Sequence, residues 1–314
     1  MLGKFNFLIF NNYNISTTEA KYDRIVVYKL RGDIMINIGK FNNMAIIRKA
    51  EFGYYLDSNT GNTSDDILLP NNSALGHQLN VGDNVDAFIY RDSEDRLIAT
   101  LKKPFGQVED LAYLEVVSST KIGTFINVGL EKDILVPFKE ENYKLEIGSN
   151  YLFYIYLDKT GRIAATTYIE SHLGTTDKYE VGEEVTGTVY GFQTNGSVML
   201  AIEDNYKAVI LRKEYFSHVK PGEKVKVRVK SYFEDGKIEA TPRQDRLTEM
   251  DIVEVKILDF LKSHDGEMLY NDKSSPEEIK KIFNSSKNYF KNALGGLMKK
   301  DIITQDKCGT KLKK

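Results

Sequence analysis

The residues best suited to chemistry in this sequence are cations that could contact phosphate groups. Lys224, Lys226, Arg228 and Lys230 alternate along one predicted strand, which places four positive side chains on the same face. Each neutralised phosphate releases condensed counterions, so such a row is typical of nucleic-acid binding. Alternation is also the pattern of the solvated face of any half-buried sheet, and both interpretations stay open.

Positive charge is concentrated towards the carboxyl end of the chain. The 314 residues include 43 Lys and Arg and 45 Asp and Glu, a formal net charge of −2. Residues 205–246 have eleven basic and six acidic side chains (+5), residues 285–314 have eight and two (+6), and residues 1–179 have 19 and 23 (−4). The net charge of the whole chain is less positive than is typical of nucleic-acid-binding domains. The distribution of charge nevertheless makes the carboxyl-terminal half the expected nucleic-acid-binding part. The other candidate phosphate contacts there are Lys207, Arg212, Lys237, Lys287, Lys291, Lys299, Lys300, Lys311 and Lys313.

Side chains spaced for catalysis or metal binding do not occur in the sequence. The four His residues lie far apart, and there is no Gly-rich phosphate loop, nucleophile elbow or metal-spaced His pair. The stretch His264-Asp-Gly-Glu267 is predicted to be an ordinary surface loop, and Asp65-Asp66 a solvated pair. We therefore expect no enzymatic activity, no metal and no cofactor.

The single cysteine, Cys308, excludes an intrachain disulfide framework and fits a reducing cytoplasm. No apolar run approaches the roughly 20 residues that a membrane-spanning helix needs. The sequence therefore predicts a cytoplasmic protein without a membrane partner.

The chain contains three copies of one pattern. Three segments that start at a Gly and end in Ala-Thr recur at Gly82–Thr100, Gly148–Thr166 and Gly222–Thr241, with the Thr 18, 18 and 19 positions after the Gly. Each is preceded by a second shared piece: Phe52-Gly53-Tyr54-Tyr55, Ile122-Gly123-Thr124-Phe125 and Asn195-Gly196-Ser197-Val198. A period of 60 to 75 residues indicates tandem copies of one small domain, which usually bind something extended.

Each copy is predicted to form strands, because apolar residues alternate and Gly occupies the expected turns at 158–161 and 234–236. In the third copy five runs are predicted at 185–192, 196–202, 206–211, 224–231 and 237–241. Five short strands in some 60 residues fit a small closed barrel of the OB type. A unit of this size buries only about 60% of its unfolded surface, so we expect neighbouring barrels to pack together.

The pattern changes to helices after Arg246. Apolar residues at helical spacing predict a first helix (Val253, Ile257, Phe260, Leu261), a second (Ile279, Ile282, Phe283) and a third (Phe290, Ala293, Leu294, Leu297, Met298). Ser275-Pro276-Glu277-Glu278 supplies a capping box for the second helix, and Gly295-Gly296 weakens the third. A hairpin is predicted around Cys308-Gly309, so three helices and a hairpin give the order of a winged helix-turn-helix.

The three copies resemble the S1 motif, the RNA-binding OB barrel of a large small-subunit ribosomal protein. That motif has two aromatics three apart around a Gly, and an Asp four residues before an Arg. The first copy has Phe52, Tyr55, Asp92 and Arg96; the second has Ile122, Phe125, Asp158 and Arg162; the third has Asn195, Val198 and only Lys237 near the basic position. The motif's usual His is absent, and Pro70 and Pro137 stand near its place.

Three such barrels followed by a winged helix resemble the bacterial conserved virulence factor B family over residues 35–314. The resemblance implies a mainly β chain with barrels at 35–106, 107–175 and 176–245 and a small α+β winged helix at 246–314. It also implies an RNA-binding regulator of gene expression that binds single-stranded RNA, with ribosomal or RNA-processing proteins as possible partners. Residues 1–34 match no repeat, and we expect them to be an extension that takes no part in the fold.

Other interpretations stay open at this point. Phe52 and Tyr55 could belong to the barrel core. Residues three apart on a strand point to opposite faces, so the two rings share a face only if a bulge at Gly53 intervenes. The two Asp–Arg pairs could be ordinary hairpin charges, and Lys311 and Lys313 could belong to a soluble tail. The chain could instead be a DNA-binding transcription regulator that docks the helix after Ser286, or an accessory subunit of a ribosome or nuclease assembly.

The aromatic pattern and the charge distribution predict different main contacts. The aromatics are in the acidic half, whereas the basic half contains the third barrel and the winged helix. Because phosphate neutralisation dominates nucleic-acid affinity, the sequence favours the basic half as the main RNA contact.

Overall fold

The computed structural model describes residues 36–215, 219–242 and 246–313. The predicted extension at 1–34 lies outside the described residues. The described chain forms three closed five-stranded barrels followed by a helical domain with a small sheet, as the sequence predicts.

The first barrel consists of β1 (Phe41–Ala50), β2 (Gly53–Leu56), β3 (Ile67–Pro70), β4 (Asn84–Arg91) and β5 (Leu97–Thr100). The first strand pairs with the second and the fourth, and the third runs parallel to the fifth. This closes the barrel in the order β1-β2-β3-β5-β4, the topology of an OB barrel. Alternate residues such as Ile46, Leu56, Leu69 and Ile89 fill the interior because successive side chains of a strand point to opposite faces.

The second and third barrels repeat this order. The second consists of β6 (Leu111–Ser119), β7 (Gly123–Ile126), β8 (Ile134–Pro137), β9 (Asn150–Leu157) and β10 (Ile163–Thr166). The third consists of β11 (Glu184–Phe192), β12 (Val198–Ile202), β13 (Tyr206–Ile210), β14 (Lys224–Tyr232) and β15 (Ile238–Thr241). All five predicted strands of the third copy are present, with ends shifted by no more than two residues.

Each barrel has a register shift in its first strand: Ile46/Arg48, Val116/Ser118 and Val189/Gly191. Such a bulge inserts one residue and strengthens the local twist, which helps a short sheet to close. After the bulge, the first strand pairs again with the second strand. In the first barrel this pairing places Arg48 opposite Tyr55.

The first two barrels are held together by polar contacts between their loops. Arg162, in the turn between β9 and β10, donates two hydrogen bonds of 2.6 Å to the carboxylate of Asp95 in the equivalent turn of the first barrel. Between the barrels, Phe105 donates its backbone N–H to the Val128 carbonyl at 2.8 Å. The predicted packing of neighbouring barrels is therefore present.

The second and third barrels share an apolar cluster of Leu152, Ile169, Leu173, Tyr190 and Ala201. Beside it, the Tyr113 hydroxyl donates to the Gly222 carbonyl at 2.8 Å. Ile169 and Leu173 of the segment between β10 and β11 are thus buried between the two barrels.

The final domain consists of α1 (Arg246–Ser263), β16 (Glu267–Met268), α2 (Pro276–Phe283), α3 (Lys287–Lys299), β17 (Ile303–Gln305) and β18 (Thr310–Leu312). The capping box of α2 is present: Glu278 N–H donates to the Ser275 hydroxyl and the Glu278 carboxylate accepts from Ser275 N–H. The hairpin predicted around Cys308-Gly309 is confirmed as β17–β18.

Three details of the predicted final domain are wrong. Ile282 and Met298, assigned to the apolar sides of their helices, are each 39% exposed, because each lies at the edge of its apolar stripe rather than at the centre. Glu267 was expected in a loop but begins β16, which pairs with β18. Two residues are too few for alternation to reveal a strand.

Candidate nucleic-acid interface

The aromatic pair of the first barrel lies on the surface. Phe52 belongs to the turn before β2, so strand alternation does not apply to it, and its side chain is 56% exposed. Tyr55 lies within β2, and its ring meets the Phe52 ring edge-on with 6.2 Å between centroids. The barrel-core interpretation is therefore wrong for this pair, and the bulge lies in β1 rather than at Gly53.

Gly53 allows β2 and β3 to approach closely. A Cβ at this position would lie 2.3 Å from the Leu69 carbonyl oxygen, a distance that no side chain tolerates. The glycine between the two aromatics is therefore required for β2 and β3 to pack, and it sets the position of the neighbouring Phe52.

Arg48 was not among the predicted site residues. It follows the bulge in β1 and pairs with Tyr55, and its guanidinium carbon lies 3.6 Å from the centroid of the Tyr55 ring. Only the pairing register reveals this contact, since the sequence shows merely an Arg four residues before Phe52.

The Asp92–Arg96 pair lies on the same wall of the barrel. Strand β3 lies between Tyr55 and this pair. Its Leu68 pairs with Tyr55 of β2 on one side and, on the other, with Ile98 of β5, which begins directly after Arg96. Asp92 accepts from the guanidinium of Arg96 at 2.7 Å and from its backbone N–H at 3.0 Å. Burial raises the pKa of Asp92, but the hydrogen bonds from Arg96 outweigh this and hold it below its usual value. The carboxylate thus organises the turn, and the arginine side chain remains 68% exposed.

In the second barrel the corresponding surface is different. Phe125 pairs with Ser118, so no arginine stacks on it, and it lines an open depression with Glu131, Lys132 and Asp133. Ile122, at the other aromatic position, is 63% exposed.

The Asp158–Arg162 pair of the second barrel is also used differently. Asp158 accepts from the backbone N–H of Arg162 at 3.0 Å, as in the first barrel. The guanidinium instead binds Asp95, and this hydrogen bond lowers the pKa of the Asp95 carboxyl. Arg162 therefore joins two barrels.

In the third barrel, the residues predicted to occupy the two aromatic positions of the S1 motif are each one position too early in the sequence. Val198, expected at the second aromatic position, is fully buried, and the residue that pairs across from the bulge as Tyr55 does is Met199, opposite Gly191. Asn195 was accordingly placed one residue early, because Gly196 lies in the turn and aligning the glycines shifts the copy. Met199 contacts the inter-barrel segment and lines a small cavity with Asn142, Tyr168, Ile169 and Tyr190. This surface is thus occupied by the joint to the second barrel.

Most of the cationic row on β14 is paired with acids. Lys224 binds Asp204 at 3.1 Å, Lys226 lies 3.9 Å from Glu184, and Lys230 binds Glu239 and Glu214 at 2.7 and 3.0 Å. The hydrogen bonds to Glu239 and Glu214 raise the pKa of Lys230. Arg228 is half-buried in the same strand. The row therefore presents less free positive charge than its sequence suggests.

The other predicted cations of the third barrel are scattered. Arg212 is exposed, with its guanidinium carbon 5.1 Å from the Tyr215 ring centroid. Lys207 is half-buried on β13, and Lys237 pairs with Asp235 at 2.9 Å. The structure does not bring these three cations together with the row on β14 into one unpaired patch.

The six lysines predicted as contacts in the winged helix fall into two groups. Lys300, Lys311 and Lys313 form ion pairs with Glu254, Glu267 and Asp301. The lysines of α3 itself are Lys287, Lys291 and Lys299, and this helix contains no acidic residue. Lys291 and Lys299 are exposed, so α3 is the more available cationic element.

Within the described ranges, no helix is long and apolar enough to cross a membrane. In the same part of the chain, no three His, Cys, Asp or Glu side chains are grouped so that they could hold a metal ion.

Comparison with known proteins agrees with this architecture. The sequence family described as S1 domain matches residues 38–102 and 106–168, and the CvfB-like winged helix domain matches residues 255–312. Both are domain types of nucleic-acid-binding and regulatory proteins rather than typical enzymes.

Relatives match most of the chain. The "Uncharacterized protein YitL" of Bacillus subtilis is 31% identical over 90% of this chain and 96% of its own length. "Conserved virulence factor B" of Staphylococcus epidermidis is 31% identical over 71% of this chain and 78% of its own length. A crystal structure of a Streptococcus pneumoniae multidomain protein with nucleic acid binding domains shares 24% identity over 88% of this chain and 98% of its own, with a TM-score of 0.49. The S1 domains and winged helix of this chain, and its 31% identity over 78% of the length of the Staphylococcus epidermidis protein, show that the chain belongs to the conserved virulence factor B family.

Proposed function

We propose that this chain is a cytoplasmic single-stranded RNA-binding protein that acts in post-transcriptional regulation of gene expression and has no catalytic activity. The observation that carries the proposal is the exposed Phe52 ring beside Tyr55 on the first barrel, at the place where the S1 motif has its aromatics. An unpaired base has a free ring face and can stack there, whereas a base inside a duplex cannot.

The contacts around this pair support a single strand. Arg96 lies on the same side of the barrel and is 68% exposed, so its positive charge can attract a phosphate even though its guanidinium also binds Asp92 and Glu94.

The barrels are proposed to contribute unequally. The aromatic position of the third barrel is covered by the inter-barrel segment, and Arg162 of the second is engaged with Asp95. We therefore assign the main base contact to the first barrel, and a supporting phosphate contact to Lys287, Lys291 and Lys299 on α3. This differs from the expectation based on charge alone, because β14 is largely paired.

The proposal is tested by comparing full-length protein binding to a labelled single-stranded RNA and to a duplex DNA of the same length at one salt concentration. We expect tighter binding to the RNA, and RNA recovered intact with and without divalent metal. Tighter binding to the duplex that is lost in Lys291→Ala would instead support docking of α3 on DNA and overturn the proposal.

A further inference from the structure

Arg48 occupies a supported position on the surface of the first barrel. It is exposed on β1, directly opposite Tyr55 in the register, and its guanidinium carbon lies 3.6 Å from the centre of that ring. A planar guanidinium that stacks on a ring keeps its N–H donors at its edge, pointing away from the ring. The group is therefore oriented but still able to donate.

Two other arginines of the first two barrels, Arg96 and Arg162, are engaged by carboxylates, and Arg91 donates to the Asp95 backbone carbonyl. Arg96 binds Asp92 and Glu94, and Arg162 binds Asp95. Within the described ranges Arg48 forms no salt bridge. Its guanidinium stacks on the Tyr55 ring, and its charge also acts on the Asp66 carboxylate, where it offsets part of the rise in pKa that burial causes. A stacked cation that no carboxylate binds directly keeps its N–H donors available for an external anion.

The three barrels provide an internal comparison. The residue at the position of Arg48 is Ser118 in the second barrel and Gly191 in the third, and the residues opposite are Phe125 and Met199. The cation thus occurs only in the copy that keeps both aromatics. A surface arginine unrelated to the aromatic pair would not be expected to follow this pattern.

We propose that Arg48 is a nucleic-acid contact of the first barrel: held on Tyr55, its guanidinium binds the phosphate next to the base that stacks on Phe52. This inference rests on the proposed function, since it assumes that Phe52 receives a base. It assigns to Tyr55 the role of a support for Arg48, because one face of its ring is covered.

The test measures full-length Arg48→Ala, Arg48→Lys and Lys49→Ala with single-stranded RNA over a range of salt concentrations by fluorescence anisotropy. Lys49 is the matched control, an exposed cation on the adjacent position of β1. We expect Arg48→Ala to weaken binding about tenfold, as for loss of a charge-assisted hydrogen-bonded pair, and to lower the slope of log K against log salt by about 0.7. Arg48→Lys should keep the slope but lose affinity, because ammonium neither stacks flat nor binds bidentately.

The outcomes separate this inference from the proposed function. If wild type binds RNA and Phe52→Ala weakens it, while Arg48→Ala matches Lys49→Ala in affinity and slope, the phosphate contact is wrong and Arg48 only rests on Tyr55. If wild type does not bind single-stranded RNA, the proposed function itself fails. Thermal melting of each variant shows whether a loss of binding comes from unfolding.

Discussion

Phe52 owes its exposure to its place in the turn just before β2. There it is free of strand alternation, while Tyr55 is held within β2 and under Arg48. Stacking of one base on an aromatic ring contributes about 1–3 kcal/mol, so a single open ring of this kind can dominate the affinity for a short strand. The site therefore consists of the open ring of Phe52, the cation of Arg48 supported by Tyr55, and the exposed side chain of Arg96 on the same side of the barrel.

Gly53 should be intolerant of any side chain. Gly53→Ala places a methyl group against the Leu69 carbonyl, so β2 and β3 must separate. We expect a loss of about 1–3 kcal/mol in the free energy of unfolding, as for overpacking elsewhere, measured by denaturant titration. Unchanged stability would show that the strands are farther apart than described.

The elements themselves follow from local sequence rules. Alternation predicts the strands, the capping box predicts the start of α2, and Ser286 predicts the start of α3, because each depends on residues within a few positions. The site could not be predicted from local sequence rules.

The pairing of Arg48 with Tyr55 depends on a bulge, and the ion pair of Arg162 with Asp95 joins residues 67 positions apart. The third copy shows the same difficulty: aligning its Gly196 with Gly53 does not show that Met199, rather than Val198, takes the position of Tyr55.

Helix α3 contains two glycines whose surroundings differ. A Cβ at Gly295 meets nothing within 4 Å, whereas one at Gly296 would lie 2.2 Å from the carboxylate of buried Glu254. Gly295→Ala should therefore stabilise the protein by about 0.5–1 kcal/mol, the usual gain of alanine over glycine inside a helix. Thermal melting should show a smaller gain or a loss for Gly296→Ala, and equal gains would contradict the described packing.

The whole molecule is a row of barrels whose equivalent surfaces serve different purposes. The first barrel keeps its aromatic surface open, the second uses its arginine to hold the first, and the third buries the corresponding surface against the second. Equivalent surfaces of the repeated domain therefore form contacts between barrels in two copies and an open surface in the first. A tandem built in this way should bind one short segment tightly rather than three segments equally.

The joint between the first two barrels should depend on pH. Asp95 has a pKa below its usual value of 3.8 because Arg162 donates to it, so its stabilising contribution is present above about pH 4 and is lost as the pH falls through the lowered value. Asp95→Asn should lower the melting temperature at pH 7, and this difference from wild type should shrink as the pH falls through the lowered pKa. Glu94→Gln, in the same turn but without a contact to the second barrel, is the control. A difference that stays constant as the pH falls would mean that the charge of Asp95 is not what stabilises the joint.

Whether the first barrel makes the main RNA contact is measured by comparing Phe52→Ala with Lys226→Ala in the full-length protein, each titrated with single-stranded RNA. Lys226 is 80% exposed on β14, so its removal probes the basic half with little effect on packing. We expect Phe52→Ala to weaken RNA binding roughly 5-fold to 150-fold, which corresponds to the loss of one stacked base, and Lys226→Ala to change it by less than about threefold. Wild-type affinity for Phe52→Ala together with a large loss for Lys226→Ala would contradict this expectation and place the main contact in the third barrel.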